Sequence, residues 1–347
     1  MKTAFVTGAT GLLGNNLCAL LLEQGWRVRA LARDPDKAGR LLPEHPTLEV
    51  VVGDLLDLPG FQERLDGVDV LFHTAAYFRE SFGGGNHWPQ LERINVQATA
   101  ELLEAAYAQG VRRMVHTSSI AVLHGPRGAP IDEEMLREDA QAHDPYYRSK
   151  VLADRAALAF LARHPQAHLS LVLPGWMVGP GDLGPTPAGQ FTMDYLGRKL
   201  PGVPPASFSV VDARDVAKTL LAAAERGRSG VRYLAAGRHL SAQELFAVME
   251  QVSGQPAPTR KVPPLALMLV SVVQELVSRI TGKPALLSWA SVRRMLDERD
   301  RTHFDPRRSA RELGVSFRPV EQTFSDQIRW YQQAGWLSGE QPPRPVG

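Results

Sequence analysis

Three glycines spaced three residues apart follow the first apolar run of the chain. The run Ala4-Phe5-Val6 has β-strand character and leads into Gly8, Gly11 and Gly14. Leucines then recur with the spacing of one helix face, at Leu13, Leu17, Leu20 and Leu21. A glycine turn that opens onto a helix leaves unpaired N–H groups and the positive end of the helix dipole facing one point, which suits a pyrophosphate. The alternative is an ordinary turn between a strand and a helix.

Each glycine in this turn has its own steric role. Gly8 permits the tight turn, Gly11 lets the backbone approach the phosphates, and Gly14 lets the helix lie close to the sheet. The spacing G-x-x-G-x-x-G is a variant of the G-x-G-x-x-G fingerprint of dinucleotide-binding turns. The residues of this turn that we predict to bind a cofactor are Gly8, Thr10, Gly11, Leu12, Leu13 and Gly14.

Apolar β-type runs alternate with helical patterns through the first half of the chain. We predict strands at 27–31, 48–52, 68–72, 111–117 and 168–173, and helices at 12–24, 91–109 and 146–163. This alternation is typical of an α/β fold with a doubly wound parallel sheet and right-handed crossovers.

Proline and glycine become frequent after Leu173, which indicates loops and a second, smaller lobe. We expect the chain to return to the sheet over residues 209–236, as a strand, a helix and a strand, and to be helical after Ser241. Ser241 and Glu244 form a capping-box pattern at the start of the next helix. We therefore assign residues 1–173 and 209–236 to a dinucleotide-binding domain, and residues 174–208 and 237–340 to a mostly helical substrate-binding lobe.

The composition argues against several partners and compartments. Lysine and arginine number 39 against 37 aspartates and glutamates, and a net charge of +2 gives no basis for a nucleic-acid partner. The one cysteine, Cys18, cannot form an internal disulfide, which favours a reducing compartment. The chain begins with a strand of the fold, so we expect no cleaved targeting segment and a cytoplasmic location.

A nearly unbroken apolar run of nine residues spans 265–273 and ends at Gln274 and Glu275. The run is too short to cross a bilayer, so we predict no membrane span. We interpret it as a core helix of the smaller lobe. The alternatives are a lid over an apolar substrate and a surface that touches a membrane.

Tyr146 and Lys150 form a Y-x-x-x-K pattern at the start of a helical run. Residues four apart lie on one face of a helix, one turn from each other. An ammonium near a tyrosine favours the phenolate and lowers the tyrosine pKa, so that the hydroxyl can pass a proton to or from a carbonyl or alcohol oxygen. The neighbouring Tyr147 has Val151 four residues on and lacks a lysine partner. A surface helix pair without function is the alternative.

Polar residues follow several of the predicted strands, where ligand sites of open parallel sheets lie. Ser118 and Ser119 follow the strand at 111–117 and can donate to a substrate oxygen or cap the turn. Asp54 follows the strand at 48–52 and can accept from an adenine amino group or cap the next helix. His73 follows the strand at 68–72, and we interpret it as a packed turn histidine.

Taken together, these residues resemble the extended short-chain dehydrogenase/reductase family, in which NAD-dependent epimerases and dehydratases fall. The matching motifs are Thr7-Gly8-x-x-Gly11-x-x-Gly14, Gly53-Asp54-Leu55, His73-x-Ala75-Ala76, Ile94-Asn95-Val96, Thr117-Ser118-Ser119, Tyr146-x-x-Ser149-Lys150, Pro174-Gly175, Val178-Gly179-Pro180-Gly181-Asp182, Val211-Asp212-Ala213-Arg214-Asp215-Val216-Ala217 and Glu312-Leu313-Gly314. Their order and spacing span nearly the whole chain. The resemblance implies a Rossmann-type sheet with a smaller substrate lobe.

The resemblance also implies roles for single residues. Tyr146 would be the acid/base, and Lys150 would hold the nicotinamide ribose and lower the tyrosine pKa. Ser119 matches the serine that hydrogen-bonds the reacting oxygen better than Ser118 does. Asp54 would lie at the adenine. The other implied residues are Leu55, Ala75 and Pro174 at the cofactor, Asn95 as structural or near the active site, and Asp212 and Asp215 as structural; we predict no metal ligand.

Departures from the family pattern distinguish its branches. Dehydratases carry an Asp-Glu pair where this chain has Ile120-Ala121, which argues against sugar dehydration. Leu173 stands where many nucleotide-sugar epimerases have an arginine, as in the branch that resembles dihydroflavonol and cinnamoyl reductases. We predict an NAD(P)-dependent oxidoreductase that reduces a ketone or aldehyde of a mainly apolar small molecule. The alternatives are a nucleotide-sugar epimerase that retains NAD and a non-catalytic redox sensor that binds NAD(P).

The residue after the second strand bears on the choice of cofactor. NAD-preferring relatives place an acid at the position of Ala32, whereas here Arg33 follows and could bind a 2′-phosphate. We therefore predict NADP(H), with NAD as the alternative because Asp34 lies nearby. In relatives the helices that match 91–109 and 146–163 pair across a two-fold axis, so we also predict a homodimer, which light scattering measures.

Overall fold

The computed structural model describes residues 1–78, 86–138, 144–281 and 289–337. The strands of its main sheet are β1 (Thr3–Thr7), β2 (Arg27–Ala32), β3 (Leu48–Val52), β4 (Val70–His73), β5 (Arg113–Thr117), β6 (His168–Pro174) and β9 (Arg232–Ala235). They are all parallel and lie in the order β3-β2-β1-β4-β5-β6-β9. The prediction of a parallel, doubly wound α/β sheet is confirmed.

Helices cover both faces of this sheet and form much of the rest of the molecule. They are α1 (Leu12–Glu23), α2 (Pro35–Leu41), α3 (Trp88–Gln90), α4 (Ala98–Ala108), α5 (Pro145–Arg163), α6 (Pro187–Leu196), α7 (Ala213–Arg226), α8 (Ala242–Ser253), α9 (Pro264–Thr281), α10 (Trp289–Glu298), α11 (Arg307–Leu313) and α12 (Val320–Gln333). The helix predicted at 91–109 contains a π-helical segment, Leu91–Gln97, that connects α3 to α4.

The central strand β1 shows why the sheet is covered on both faces. Ala4 and Val6 belong to the apolar core cluster that also contains residues of α1 and α7. Phe5 points to the opposite face and belongs to the cluster that contains residues of α4 and α5. Because successive side chains alternate between faces, a strand whose three central residues are all apolar requires a layer of helices on each side.

A second sheet of three strands stands beside the first. It consists of β7 (Trp176–Val178), β8 (Ser207–Asp212) and β10 (Arg238–Ser241), in the order β10-β8-β7. The expectation that the strand near Ser209 returns to the main sheet is therefore wrong, since within 209–236 only β9 joins that sheet. The chain continues from β6 into β7 and from β9 into β10, beyond the edge of the main sheet. There β8 lies between β7 and β10 and pairs with both. The smaller lobe thus also contains strands.

The two helices predicted to form a dimer pack first within their own chain. Leu102, Leu103 and Ala106 of α4 and Phe160 of α5 are fully buried in the cluster on one face of the sheet. Leu152, Ala156 and Ala159 of α5 keep partial or full exposure and are the residues left for contact with a second copy. The homodimer stays a prediction.

The apolar run at 265–273 lies in α9 and is only partly buried. Leu267 is buried, whereas Leu265, Leu269, Val272 and Val273 are exposed, so the interpretation as a core helix is wrong for these four residues. Within the described ranges, no helix is long and apolar enough to cross a membrane.

A buried ion pair connects the β8–α7 junction to the C-terminal part of the chain. Asp215 is 2% exposed and accepts two hydrogen bonds from the Arg318 side chain, at 3.0 Å from Nε and 2.7 Å from Nη2. The backbone N–H of Arg318 also donates to Asp215, at 2.8 Å. Asp212, which caps α7, binds Arg214, and Arg214 in turn binds Asp326 of α12. The structural role expected for Asp212 and Asp215 agrees with these contacts.

Replacing Arg318 by methionine should destabilise the protein. The substitution leaves the buried Asp215 carboxylate without its main counter-charge, and breaking a buried pair in this way costs about 3 kcal/mol or more of unfolding free energy. Urea denaturation followed by circular dichroism measures the change. Arg307→Met is the matched control, because the Arg307 side chain is 87% exposed and its surface pair with Asp305 should contribute little to the unfolding free energy. Equal stability of the two variants would contradict the expectation.

Candidate active site

The glycine turn between β1 and α1 is held by very close packing. Gly8 has a φ of +67°, and its carbonyl accepts a hydrogen bond from the Gly11 N–H at 2.9 Å. A Cβ on Gly8 would lie 2.7 Å from the Ala75 nitrogen, and a Cβ on Gly14 would clash with the Gly8 carbonyl. Side chains at these two positions would therefore push α1 and the segment after β4 away from the turn.

The first turn of α1 has the properties of an anion site. Gly11 is the N-cap and contributes no side chain, and the first turn carries no acidic residue, so nothing offsets the positive end of the helix dipole. Leu12 and Leu13 of this turn are buried. These features fit the pyrophosphate of a dinucleotide. The structure places Thr10 in the same turn, with intermediate exposure.

A loop of the second half of the chain packs against this helix. Asn15 donates to the Gly181 carbonyl at 2.9 Å, and Asn16 donates to the Pro180 carbonyl at 2.9 Å. The loop follows β6 and β7, and Pro174 is the buried last residue of β6, paired with Ala235 of β9. The segment after Pro174 is therefore fixed relative to α1 by two asparagine amides that the sequence analysis did not single out.

The ends of β2 and β3 bring Arg33 and Asp54 together. Arg33 Nη1 lies 3.9 Å from an Asp54 carboxylate oxygen, and the Arg33 side chain is 75% exposed. Asp54 also accepts from the Leu56 N–H at 2.9 Å, and the intervening Leu55 is buried in the core. Asp34 caps α2 by accepting from the Lys37 N–H at 3.0 Å. The Asp34 carboxylate is thus engaged with α2, while Arg33 remains accessible.

His73 lies at the end of β4, within the sheet–helix interface. Its two ring nitrogens are hydrogen-bonded to Thr7 and Thr99, at 2.8 and 2.9 Å. Burial and the nearby charge of Lys150 lower the pKa of His73 to about 3, so the imidazole is neutral at ordinary pH. These contacts agree with the interpretation of His73 as a packed turn histidine. The Ala75 N–H, two residues further along the chain, donates a hydrogen bond to the Thr7 hydroxyl at 3.3 Å, which positions Ala75.

Lys150 places an ammonium group at the carboxyl end of β5. The side chain is 4% exposed in total, and Nζ donates to the Thr117 carbonyl at 2.9 Å. Burial lowers the pKa of Lys150 to about 8, and the charge of Asp154 opposes that change. Asp154 lies one turn further along α5 and accepts from Arg232 of β9 at 2.9 Å. The Lys150 side chain is thus held in a fixed orientation in a weakly solvating environment.

Tyr146 lies one turn before Lys150 at the start of α5. Asp144 caps the helix by accepting from the Tyr147 N–H, and Pro145 occupies the first helical position. The Tyr146 ring contacts Phe78 at a centroid distance of 4.9 Å. Tyr147 instead lies under the Arg137 guanidinium, 4.9 Å from its ring centroid. The two neighbouring tyrosines therefore have different surroundings.

The two serines after β5 also differ in exposure. Ser118 is 3% exposed, and its N–H donates to the Val172 carbonyl across the sheet. Ser119 is partly exposed and caps a short 3₁₀ helix, Ile120–Val122, by accepting from the Ala121 N–H at 3.1 Å. Since this bond uses a lone pair, the Ser119 O–H remains a donor. Exposure favours Ser119 over Ser118 as the group that meets a substrate.

Asn95 and Arg137 make polar contacts near the site that the sequence did not predict. Buried Asn95 accepts from the Tyr77 N–H at 2.7 Å and donates to Ser149 at 3.0 Å, which joins the π-helical segment to α5. Arg137 was missed: it donates to the carbonyls of Ala121 and Leu123 and to Glu298 of α10. No local pattern identifies Arg137, because its partners come from distant parts of the chain.

A cavity of about 580 Å³ lies in the smaller lobe. Its walls come from the chain before and within β8, from the start of α8, and from the chain around α10. The residues with ionisable side chains in the lining are His239, Lys261, Arg299, Asp300 and His303. Arg299 is paired with Asp300 at 3.1 Å.

Comparisons with known proteins agree with this architecture. Residues 4–236 match the model of the NAD dependent epimerase/dehydratase family. Sterol demethylase protein B of Methylococcus capsulatus is 31% identical over 338 residues, 96% of this chain and 100% of that protein. Cinnamoyl-CoA reductase 1 of Oryza sativa subsp. japonica is 27% identical over 348 residues, 96% of this chain and 91% of that protein. The crystal structure of gox2253 superimposes with a TM-score of 0.82 at 30% identity, over 97% of this chain and 99% of that one.

The family match covers the sheet, the glycine turn and the helix that carries Tyr146 and Lys150. It confirms the resemblance that the order of the motifs implied. The chain therefore belongs to the NAD dependent epimerase/dehydratase family and is an enzyme of the extended short-chain dehydrogenase/reductase type.

Proposed function

We propose that this enzyme reduces a ketone or aldehyde of a mainly apolar small molecule with NADP(H), and that Tyr146 donates the proton. The observation that carries the proposal is the helix face of α5, where the buried Lys150 ammonium follows Tyr146 by one turn at the carboxyl end of β5. The match to a cinnamoyl-CoA reductase supports the reductive direction, which Leu173 also favours.

The proposed binding of the cofactor uses the ends of four strands. The first turn of α1, with Gly8, Thr10, Gly11, Leu12, Leu13 and Gly14, would hold the pyrophosphate. Asp54 and Leu55 would contact the adenine, Ala75 would border the cofactor, and Pro174 would lead into the segment beside the nicotinamide. The bound nicotinamide supplies the hydride for the carbonyl carbon.

Three side chains of the protein would then act on the carbonyl oxygen of the substrate or on its proton donor. Tyr146 transfers its hydroxyl proton to the carbonyl oxygen as that oxygen becomes an alkoxide, and it regains a proton from solvent. Ser119 donates a hydrogen bond to the same oxygen, a bond that strengthens as negative charge grows there. The Lys150 ammonium stabilises the transient phenolate of Tyr146 and binds the ribose hydroxyls.

A nucleotide-sugar epimerase that retains NAD is the second candidate. A diphosphate would need cations in the smaller lobe, and Lys261 and Arg299 line its cavity. Pairing of Arg299 with Asp300 reduces the charge offered there, which favours the reductase. A redox sensor would have no need for the combination of Tyr146, Lys150 and Ser119.

The Tyr146→Phe variant should lower turnover by about 10²- to 10⁴-fold, because it removes the proton donor and keeps the ring. Affinity for NADPH should stay nearly unchanged. Steady-state absorbance of NADPH and fluorescence titration measure the two quantities. Tyr147→Phe is the matched control on the adjacent residue and should change little, while Ser119→Ala should lower mainly turnover. An active Tyr146→Phe together with an inactive Tyr147→Phe would contradict the proposed helix face.

The Lys150 ammonium should titrate with a midpoint near pH 8 in the cofactor-free enzyme. Carbon-13 NMR of lysine side chains measures this midpoint, and Lys150→Met identifies the signal by removing it. Since burial lowers the pKa from 10.5, the unfolded chain binds more protons between about pH 8 and 10.5. Lys150 therefore makes the unfolding free energy rise with pH in that window, and Lys150→Met should abolish this contribution. A midpoint above pH 10 would contradict the burial of this group.

Arg33→Ala should weaken the binding of NADPH far more than that of NADH. The exposed Arg33 guanidinium can form a charge-assisted pair with a 2′-phosphate, whereas NADH lacks that group. Isothermal calorimetry with both cofactors measures the difference. Arg40→Ala, at the last turn of the neighbouring α2, is the control for a general loss of positive charge. Tighter binding of NADH than of NADPH by the unaltered enzyme would overturn the assignment.

A further inference from the structure

Helix α9 (Pro264–Thr281) presents an apolar face to solvent. Leu265 is 73% exposed and Leu269 is 68% exposed, and Val272 and Val273 are exposed as well. These positions are spaced i, i+4, i+7 and i+8, so their side chains lie on one face of the helix. Contiguous apolar faces of this kind on soluble proteins mark contact surfaces.

The inward face of α9 contains a polar residue where an ordinary surface helix would bury only apolar ones. Leu267 is 6% exposed, and Ser271 is fully buried and donates to the Met268 carbonyl at 2.8 Å. A helix that served only to cover the core would direct its leucines inward and its serine outward. In α9, Ser271 is buried, whereas Leu265 and Leu269 are exposed. Packing within one copy of the chain therefore does not explain the exposed leucines.

The segment that contains α9 carries a positive net charge. Residues 255–295 include six lysines and arginines and one glutamate, whereas the rest of the chain has 33 basic and 36 acidic residues. Arg260 and Lys261 are exposed directly before the helix, whereas the Arg293 side chain on the neighbouring α10 is 67% exposed and lies 4.0 Å from the Asp297 carboxylate. The segment thus combines an apolar face with a net positive charge of 5 in a protein that is otherwise slightly acidic.

We propose that α9 docks on the surface of a membrane that contains anionic lipids. An apolar helix face with adjacent cations is suited to lie in the plane of the interface, with its leucines at the acyl boundary and its cations at the headgroups. A second copy of this chain fits the surface less well, because two segments of the same positive charge would repel each other. The helix lies on the membrane and does not span it.

Docking through α9 would also bring the lipid surface next to the cavity of the smaller lobe. Pro264, the first residue of the helix, lines that cavity together with the preceding Lys261, Val262 and Pro263. Molecules dissolved in the membrane would therefore have a short route to the lobe. The docking surface itself does not depend on the proposed reductase activity.

Sedimentation of the full-length enzyme with sucrose-loaded vesicles tests the proposal. One set of vesicles contains phosphatidylcholine alone, and the other contains about one-third phosphatidylglycerol, a content sufficient for a negative surface potential. We expect strong binding to the anionic vesicles, weak binding to the neutral ones, and release at high salt. Leu265→Ser/Leu269→Ser should lower the partition coefficient by about tenfold or more, since both exposed apolar side chains are removed.

The matched control is Val50→Ser/Val52→Ser on the edge strand β3, which removes two exposed apolar side chains far from α9 in sequence and should leave vesicle binding unchanged. Arg260→Gln/Lys261→Gln should weaken binding to anionic vesicles only. Circular dichroism shows whether each variant is folded, and vesicle binding is measured without a carbonyl substrate, which separates this test from that of the proposed function. Absence of vesicle binding by the unaltered enzyme, equal binding by the α9 variant, or dimers that the α9 variant dissociates would each overturn the proposal.

Discussion

The site depends on one positive charge that the fold buries. The Lys150 ammonium donates a hydrogen bond to the Thr117 carbonyl of β5. The negative charge of Asp154, on the same helix α5, favours the charged form of Lys150. Arg232 of β9 binds Asp154, so a helix and two strands share one series of polar contacts. Burial, together with the charge of the same ammonium, lowers the pKa of His73 and keeps this histidine neutral at the end of β4. Moving α5 relative to the sheet would leave several of these groups buried without partners, which costs more than the contacts contribute.

The glycine turn provides the second constraint, and it acts through sterics. Gly8 and Gly14 remove the side chains that would separate α1 from the turn and from the segment at Ala75. Asn15 then fixes the loop after β6 and β7 to the same helix, through the Gly181 carbonyl. The first turn of α1 and the Lys150 region are thereby placed at one edge of the same sheet, which is the arrangement that a dinucleotide bridging both would require.

Sequence patterns predicted the parts of this structure that depend on interactions between residues close together in the chain. The strand–glycine–helix turn and the i, i+4 pair of Tyr146 and Lys150 depend on spacing alone, and both are found as expected. The pairing of β8 outside the main sheet depends on how β7 and β10 extend past two other strands, which no periodicity encodes. Arg137 contacts a helix 161 residues away, so its role emerges only from the fold. The exposure of Leu265 likewise depends on tertiary packing, because an apolar run has the same pattern in a core as on a docking surface.

We propose that hydride passes from the nicotinamide to a carbonyl carbon while Tyr146 supplies the proton. The most direct measurement supplies the enzyme with NADPH deuterated at the transferred position of nicotinamide C4, together with a panel of carbonyl compounds and nucleotide sugars, and analyses the products by mass spectrometry. We predict an alcohol that carries one deuterium at the carbinol carbon, formed in equal amount to NADP⁺. Inversion of a nucleotide sugar with no net consumption of NADPH, and no labelled alcohol from any carbonyl compound, would contradict the account.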